Sequence, residues 1–199
     1  LRRVYQFAGH AHKGQKRLSG ESYFSHLYAT AKTLAELGMD IPTISVGFLH
    51  DILEDTKVKE EELVREFSQE IVELVKGVTK LGTLKYRGHE RHVESLRKFF
   101  VAMTNDLRVV VIKIADRLHN LNTLKYVRPD KQKRIALESI EVYAPLANRL
   151  GMGELKGEIE DAAFPYIYPE EALKIDELIE AKQDIFTRNL LEVKEELEK

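Results

Sequence analysis

Four side chains that could share one metal ion lie far apart along the sequence. His50 and Asp51 are neighbours inside the apolar run 46–55, while His26 precedes them and Asp116 follows. An imidazole or a carboxylate is rarely buried without a partner, because its desolvation then goes uncompensated. These residues predict a single metal site, assembled from three separate helices.

The expected chemistry follows from the donor atoms. Two imidazole nitrogens and two carboxylates suit Mn²⁺, Fe²⁺ or Zn²⁺ better than Ca²⁺, which prefers ligands that are all oxygen. Such a ligand set would leave coordination positions free for water and substrate. A divalent ion in that setting lowers the pKa of water and neutralises charge on a phosphoryl oxygen. The pattern favours metal-assisted hydrolysis.

Glu54 and Asp55 are the candidates for activating the attacking water. On one continuous helix they would lie one turn beyond His50 and Asp51 and share a face with them. Each could then orient or deprotonate water without being a metal ligand. The alternative is a hydrogen-bonded helix pair with no metal, because a single His-Asp doublet is more often structural and spacing alone does not show that helices converge.

The elements that position these residues are predicted to be helical nearly throughout. Apolar residues recur at helical spacing, and glycine or proline marks the segment ends. The run 109–112 has strand propensity, but Leu107, Ile114 and Leu121 continue one helical face across it. We expect loops at 13–22 and 80–91, a kinked connector at 166–169, and helices at about 1–12, 25–37, 40 to beyond 51, 60–67, 69–79, 93–103, 107–126, 129–150 and 154–163.

Composition narrows the class of protein. With 43% hydrophobic and 32% charged residues, the 199-residue chain is typical of an ordered, soluble, helix-rich protein. A net charge of −2 offers no global attraction for nucleic acid or an anionic membrane. The absence of cysteine excludes disulfides and thiolate chemistry. No segment is typical of a signal peptide or a membrane span, so a cytoplasmic setting is expected.

Several segments resemble a known family. His26, the His50-Asp51 doublet and Asp116 match the H…HD…D pattern of the HD phosphohydrolase superfamily. Residues 47–56 resemble the "GxLHDxxEDT" segment of RelA/SpoT-type alarmone enzymes. The resemblance continues, in the same order and over nearly the whole chain, at 77–81, 114–124, 128–132 and 144–151.

This resemblance implies a compact all-α, multi-helix HD-domain bundle with a C-terminal helical extension. The implied activity is removal of the 3′-pyrophosphate of (p)ppGpp, which gives GDP or GTP and pyrophosphate, in control of the stringent response. The implied cofactor is Mn²⁺. By position, the implied residues are metal ligands at His26, His50, Asp51 and Asp116, a water-activating pair at Glu54 and Asp55, guanine-binding residues at Arg17 and Ser19, and nucleotide contacts at Asn120 and Thr123.

The family also implies a domain organisation. Residues 1–165 would form the hydrolase domain, and 166–199 a helical linker toward a synthetase domain outside this chain. The chain begins at Leu1 rather than Met, so we interpret it as a fragment that would not synthesise alarmone. It departs from the family at positions that affect the base pocket and loop rigidity rather than the ligands, namely Leu18, Ser22 and Leu27.

Two alternative functions remain open on the residues alone. One is an HD hydrolase for another nucleotide, such as one that removes the NADPH phosphate or cleaves dNTPs. The other is a regulatory module that binds alarmone without cleaving it, which the intact Glu54-Asp55 pair disfavours. A cationic group could meet the phosphates of an anionic ligand, although each member could instead be a solvated surface residue: Lys113, Arg117, Lys125, Arg128, Lys131, Lys133 and Arg134.

Overall fold

A computed structural model describes residues 1–82, 101, 105–180, 182 and 194 of the chain. Helices and loops make up this part of the chain, with one isolated β-bridge between Lys16 and Ser22 and no named strand. The all-α prediction is confirmed. Within the same residues, no helix combines the length and the apolar character that crossing a bilayer requires.

The helices follow one another with short connections. In chain order they are α1 (Arg2–Ala11), α2 (Tyr23–Glu36), α3 (Ile41–Leu49), α4 (Ile52–Asp55), α5 (Glu60–Glu66), α6 (Gln69–Gly82), α7 (Leu107–Asn122), α8 (Pro129–Glu138), α9 (Ala144–Arg149), α10 (Gly153–Ile167) and α11 (169–180).

Side-chain caps define the starts of the helices that carry the expected site. The Ser22 hydroxyl accepts a hydrogen bond from the backbone N–H of Phe24 at the start of α2. Asp40 caps α3 and Asp106 caps α7 in the same way. Each cap satisfies a backbone donor that the helix leaves free, and is worth about 1 kcal/mol. Local sequence therefore sets where these three helices begin.

Helix α7 joins two hydrophobic clusters. Val109 and Ile112 face a cluster built mainly from α1, α2, α3 and α6. Val110 and Ile114 face a second cluster, which α8, α9 and α10 complete. Because α7 is buried between them, Asp116 is carried on an element that is packed on two sides.

Helices α2 and α3 are in close contact at Gly47. A Cβ atom at this position would lie 2.7 Å from the backbone Cα of Ala31 and 2.9 Å from a methyl group of Leu34. Real Cβ atoms essentially never come so close, so the contact requires glycine. This contact sets the separation of the two helices that present His26 and His50.

The structure corrects one element at the expected site. We predicted a single helix through His50 and Asp51, but α3 ends at Leu49 and α4 begins at Ile52. Asp51 has φ of −101° and ψ of 4°, which departs from helical geometry. The predicted continuous helix is therefore wrong. Asp55 still lies one helical turn beyond Asp51, because the Asp55 backbone N–H donates to the Asp51 backbone oxygen at 2.8 Å.

Other predicted boundaries hold with local changes. The expected helix 129–150 is continuous in path, but a π-helical segment, Ser139–Tyr143, separates α8 from α9. The expected helix 107–126 ends at Asn122 and is followed by the 3₁₀ turn Leu124–Tyr126. Residues 80–82 belong to α6 rather than to the predicted loop. The rest of that loop lies outside the described residues, as does most of the expected helix 93–103.

Candidate metal centre

Two histidine rings face each other in the interior of the protein. His26 comes from the first turn of α2, and His50 follows directly after α3. Their Nε2 atoms are 3.1 Å apart, and both residues are buried. The close contact of α2 and α3 at Gly47 brings the two rings together, although they lie 24 positions apart in sequence.

Two carboxylates complete the group. Asp51 Oδ2 lies 3.1 Å from His50 Nε2 and 3.7 Å from His26 Nε2. Asp116 Oδ1 lies 3.2 Å from His26 Nε2 and 3.7 Å from His50 Nε2. Each histidine Nε2 is thus close to both carboxylates. The structure brings together all four residues that the sequence nominated as ligands.

Hydrogen bonds to the far side of each ring indicate which nitrogen is free. His50 Nδ1 lies 2.9 Å from the backbone oxygen of Gly47, a partner that only accepts, so His50 carries its proton on Nδ1. His26 Nδ1 lies 2.8 Å from Nδ1 of His119. Arg17 also donates toward that His119 nitrogen at 3.4 Å, which makes it an acceptor and His26 Nδ1 the donor.

The donor set fits a metal ion. With both Nδ1 atoms protonated, the two Nε2 lone pairs point at each other and at two carboxylates, an arrangement that requires a positive charge between them. His26, His50 and Asp51 each offer a ligand atom, and these atoms lie within 4.8 Å of one another. The cluster could therefore hold a divalent cation.

The electrostatics of the cluster favour positive charge. Burial by itself lowers the pKa of His50, but the carboxylates of Asp51 and Asp116 outweigh it and raise that pKa to about 10. Burial would raise the pKa of each carboxylate. The charge of His50 holds the pKa of Asp51 well below its usual range, and Lys113 and the histidines do the same for Asp116. The carboxylates of Asp51 and Asp116 would therefore stabilise a cation at this point.

Two neighbours on α7 hold the Asp116 carboxylate. Asn120 donates from Nδ2 to Oδ1 at 2.7 Å, and Lys113 donates from Nζ to Oδ2 at 3.3 Å. Burial lowers the pKa of Lys113, but the carboxylates of Asp116 and Asp51 outweigh it, so the net shift is upward and the lysine stays charged. Lys113 belongs to the cationic group that could meet substrate phosphates, but in the structure its ammonium group contacts Asp116.

The expected water-activating pair lies at the edge of the cluster. Glu54 and Asp55 belong to α4, the four-residue helix that follows Asp51, and both are exposed. Partial burial raises the pKa of Glu54, and the charges of Asp51 and Asp55 add to this rise while Lys113 opposes it. A carboxylate with a raised pKa is a stronger base, which suits the role predicted for Glu54.

The residues expected to bind the nucleotide fall into two groups. Arg17 donates from Nη2 to Oδ1 of Asn120 at 2.6 Å, and Asn120 in turn contacts Asp116, so these two adjoin the metal cluster. Ser19 hydrogen-bonds within its own loop, to Glu21. Thr123 donates to the backbone oxygen of His119 and closes the last turn of α7. Arg17 and Asn120 are therefore joined directly, although 103 positions separate them.

Sequence reasoning missed two residues at this site. The hydroxyl of Tyr23 lies 2.7 Å from Asp51 Oδ2 and 2.6 Å from Asp55 Oδ2. His119, the neighbour of Asn120 in the sequence, contacts His26 through its Nδ1. Tyr23 precedes His26 by three positions on α2, a spacing that places two side chains on one helix face and could have indicated it.

Comparison with known proteins identifies the class that this fold and site define. The HD domain family matches residues 5–153, and the chain belongs to that family. It is similar to a solved structure described as a metazoan ortholog of SpoT that hydrolyzes ppGpp, with a TM-score of 0.62 at 22% identity, covering 81% of this chain and 91% of that one. At that identity the likeness shows the fold.

More similar relatives are bacterial. The chain is 49% identical over 170 residues to the GTP pyrophosphokinase of Streptomyces coelicolor, covering 85% of this chain and 20% of that protein. It is 45% identical over 193 residues to the guanosine-3′,5′-bis(diphosphate) 3′-pyrophosphohydrolase of Haemophilus influenzae, covering 94% of this chain and 28% of the relative. The chain thus spans less than a third of either protein.

Proposed function

We propose that this chain hydrolyses the 3′-pyrophosphate of guanosine tetra- or pentaphosphate, giving GDP or GTP and pyrophosphate. One observation carries the proposal: two buried histidines and two aspartates converge next to an exposed Glu-Asp pair. The name of the Haemophilus influenzae relative supports the choice of substrate. A role in control of the stringent response would follow from this activity.

We further propose that the metal is Mn²⁺, held by His26, His50, Asp51 and Asp116. The mixed nitrogen and oxygen donors support an ion of intermediate hardness over Ca²⁺. When bound, such an ion would stabilise negative charge on the phosphoryl group and lower the pKa of nearby water. Lys113 and Asn120 would keep the Asp116 carboxylate in place through their hydrogen bonds to it.

Two acidic residues of the chain would deprotonate and orient the attacking water. Glu54 accepts a proton from the attacking water, and Asp55 orients that water. The water oxygen forms a bond to the phosphorus attached to the ribose 3′ oxygen. The bond between this phosphorus and the 3′ oxygen breaks, the 3′ oxygen takes up a proton, and the oxygen of water ends in pyrophosphate.

Arg17 and its partners would recognise the nucleotide. A planar guanidinium stacks well on a purine face, and Arg17 is already oriented by its 2.6 Å hydrogen bond to Asn120. We propose Asn120, in the last turn of α7, and Thr123, directly after that helix, as further nucleotide contacts, and Ser19 as a contact from the loop that precedes α2. Substituting each of these residues by alanine and measuring KM for ppGpp tests its role.

Two other functions remain as rivals. A hydrolase for another nucleotide would cleave NADPH or a dNTP faster than ppGpp in a substrate panel. A regulatory module that binds alarmone without cleaving it gains support from the Streptomyces coelicolor relative, whose name states a pyrophosphokinase. Binding of ppGpp with no release of product in saturating Mn²⁺ would favour that rival.

The wider context is also a proposal. Residues 1–165 would act as the hydrolase unit, and 166–199 would lead toward a synthetase domain, as the greater length of the relatives suggests. We propose a cytoplasmic location, because guanine nucleotides are made and used there. Activity of a chain truncated after Tyr168, where α10 has ended, would test the boundary.

The decisive experiment is incubation with ppGpp and Mn²⁺ in water enriched in ¹⁸O. We expect GDP and pyrophosphate in equal amounts, the label in pyrophosphate, and no reaction after chelation. The chain with Asp116→Ala serves as the control for a contaminating hydrolase. Absence of product at saturating Mn²⁺, or label in GDP, would contradict the proposed reaction.

A further inference from the structure

We infer that Tyr23 is a positioning residue, whose hydroxyl holds the Asp55 carboxylate against the metal cluster; this inference rests on the proposed function. The Tyr23 oxygen lies 2.7 Å from Asp51 Oδ2 and 2.6 Å from Asp55 Oδ2. One atom therefore contacts both an expected metal ligand and a member of the expected water-activating pair. No residue predicted from the sequence makes this connection.

The tyrosine ring is itself held from the side of α1. The imidazole of His12, which is buried, stacks on the ring of Tyr23 with centroids 5.0 Å apart and planes 4° apart. His12 Nδ1 contacts the side-chain oxygen of Gln15 at 2.7 Å. Gln15 then donates from Nε2 to the backbone oxygen of Asp55 at 2.6 Å. The backbone and the carboxylate of Asp55 are thus both held by this one group of side chains.

Asp55 needs such support because of where it lies. It is the last residue of α4, which has only four residues, and it is exposed to solvent. Short helix ends of this kind open at low free-energy cost. The carboxylate would also be repelled by Asp51, since both carry negative charge in one small region. A hydrogen bond from the Tyr23 hydroxyl would offset this repulsion and keep the Asp55 carboxylate from turning toward solvent.

The hydroxyl is suited to this task because it is neutral and small. It carries a single proton and donates it to one carboxylate oxygen at a time, and Asp51 Oδ2 and Asp55 Oδ2 both lie within reach of this donor. The ring of Tyr23 also meets the edge of His26, with centroids 5.9 Å apart and planes at 86°. Tyr23 is therefore in contact with two expected metal ligands and with Asp55.

The test is Tyr23→Phe, which removes the hydroxyl and keeps the ring. The matched control is Tyr28→Phe on the same helix, because Tyr28 is exposed and its ring contacts Phe48 instead. Mn²⁺ affinity is measured by calorimetry, the melting temperature by scanning calorimetry, and kcat and KM by release of pyrophosphate from ppGpp. The control should match wild type in all four quantities.

For Tyr23→Phe we expect kcat to fall by about 10- to 100-fold, the range typical of residues that orient a metal site from outside. KM should stay within about twofold and Mn²⁺ affinity should fall by roughly threefold or more, because Asp51 loses a partner. In the Asp55→Asn background, the loss of kcat from Tyr23→Phe should shrink to about threefold or less, because the two residues act as one unit.

Three results would overturn the inference. The first is a Tyr23→Phe protein with the kcat and the Mn²⁺ affinity of wild type. The second is a fall in kcat that is as large in the Asp55→Asn background as in the wild-type background. The third is a Tyr23→Phe protein in which only KM becomes worse. If Tyr23→Phe does not fold, Asp55→Glu is the second test. This variant keeps the negative charge but moves the carboxylate away from the Tyr23 hydroxyl, so kcat must fall while Mn²⁺ affinity is kept. Wild-type turnover in Asp55→Glu would also overturn the inference. If wild type does not cleave ppGpp, the proposed function fails by itself. The Mn²⁺ affinity of Tyr23→Phe against Tyr28→Phe then decides the role of Tyr23.

Discussion

Replacing Gly47 by alanine should loosen the metal centre without changing any of its expected ligands. The new Cβ would lie 2.7 Å from the Ala31 backbone and 2.9 Å from Leu34. Leu34 could rotate, but a backbone atom inside a packed helix cannot, so α3 must move away from α2. Overpacking of this kind costs about 1–3 kcal/mol, and a contact with backbone belongs at the upper end. Alanine in a helix returns about 1 kcal/mol relative to glycine.

The net loss in the free energy of unfolding is about 2 kcal/mol, which lowers the melting temperature of a chain this long by roughly 4–8 °C. Because His26 and His50 face each other at 3.1 Å across the same pair of helices, Mn²⁺ affinity should fall by about tenfold, as when a supporting contact of a metal site is lost. Scanning and titration calorimetry measure the two effects.

The matched control is Gly157→Ala in α10, where an added Cβ meets nothing within 4 Å. This variant should gain roughly 0.5–1 kcal/mol from helix propensity and keep its Mn²⁺ affinity. A Gly47→Ala protein that melts at the wild-type temperature and binds Mn²⁺ equally well would refute the argument that this contact sets the distance between the histidines.

Further predictions concern the site itself. Asp116→Ala should abolish turnover and Mn²⁺ binding together, since it leaves Lys113 and the histidines without their shared carboxylate; retained Mn²⁺ affinity in calorimetry would contradict its role. Glu54→Gln should keep Mn²⁺ affinity and lower kcat by about 10²- to 10⁴-fold, the usual contribution of a general base. Because partial burial raises the pKa of Glu54, its basic form is lost at a higher pH than for a fully solvated glutamate. At saturating Mn²⁺, kcat should therefore fall as the pH drops through that raised pKa, and a rate that increases toward acid would exclude Glu54 as the base. Arg17→Ala should raise KM for ppGpp by about tenfold or more with little change in Mn²⁺ affinity, because it removes a cation that stacks on the guanine ring. An unchanged KM would show that the guanine ring binds elsewhere.

Local sequence is a good guide where the physical cause is local. The run 109–112 has strand propensity but forms part of α7, as the apolar spacing from Leu107 to Leu121 predicts. The caps at Asp40 and Asp106 start their helices within a few residues of the expected positions. A cap or a helical face is decided within one or two turns, so the residues that decide it are contiguous.

The break between α3 and α4 shows where this guide ends. Spacing alone favours one helix through His50 and Asp51, yet the structure interrupts it there. The Asp51 carboxylate contacts Tyr23, which lies 28 positions earlier, and His50 Nε2 contacts His26 from the same helix. These contacts with distant segments outweigh the helical preference of His50 and Asp51, because helix propensities of ordinary residues differ from one another by only a few tenths of a kcal/mol.

By itself, the sequence determined the helical fold and the chemical types of the site residues, because periodicity and side-chain chemistry are properties of the chain. Only the tertiary structure decided that His26, His50, Asp51 and Asp116 meet, since that depends on how closely α2 and α3 pack at Gly47 and on α7 lying between two cores. Packing distances are set by atoms from different segments, so no single stretch of residues contains them.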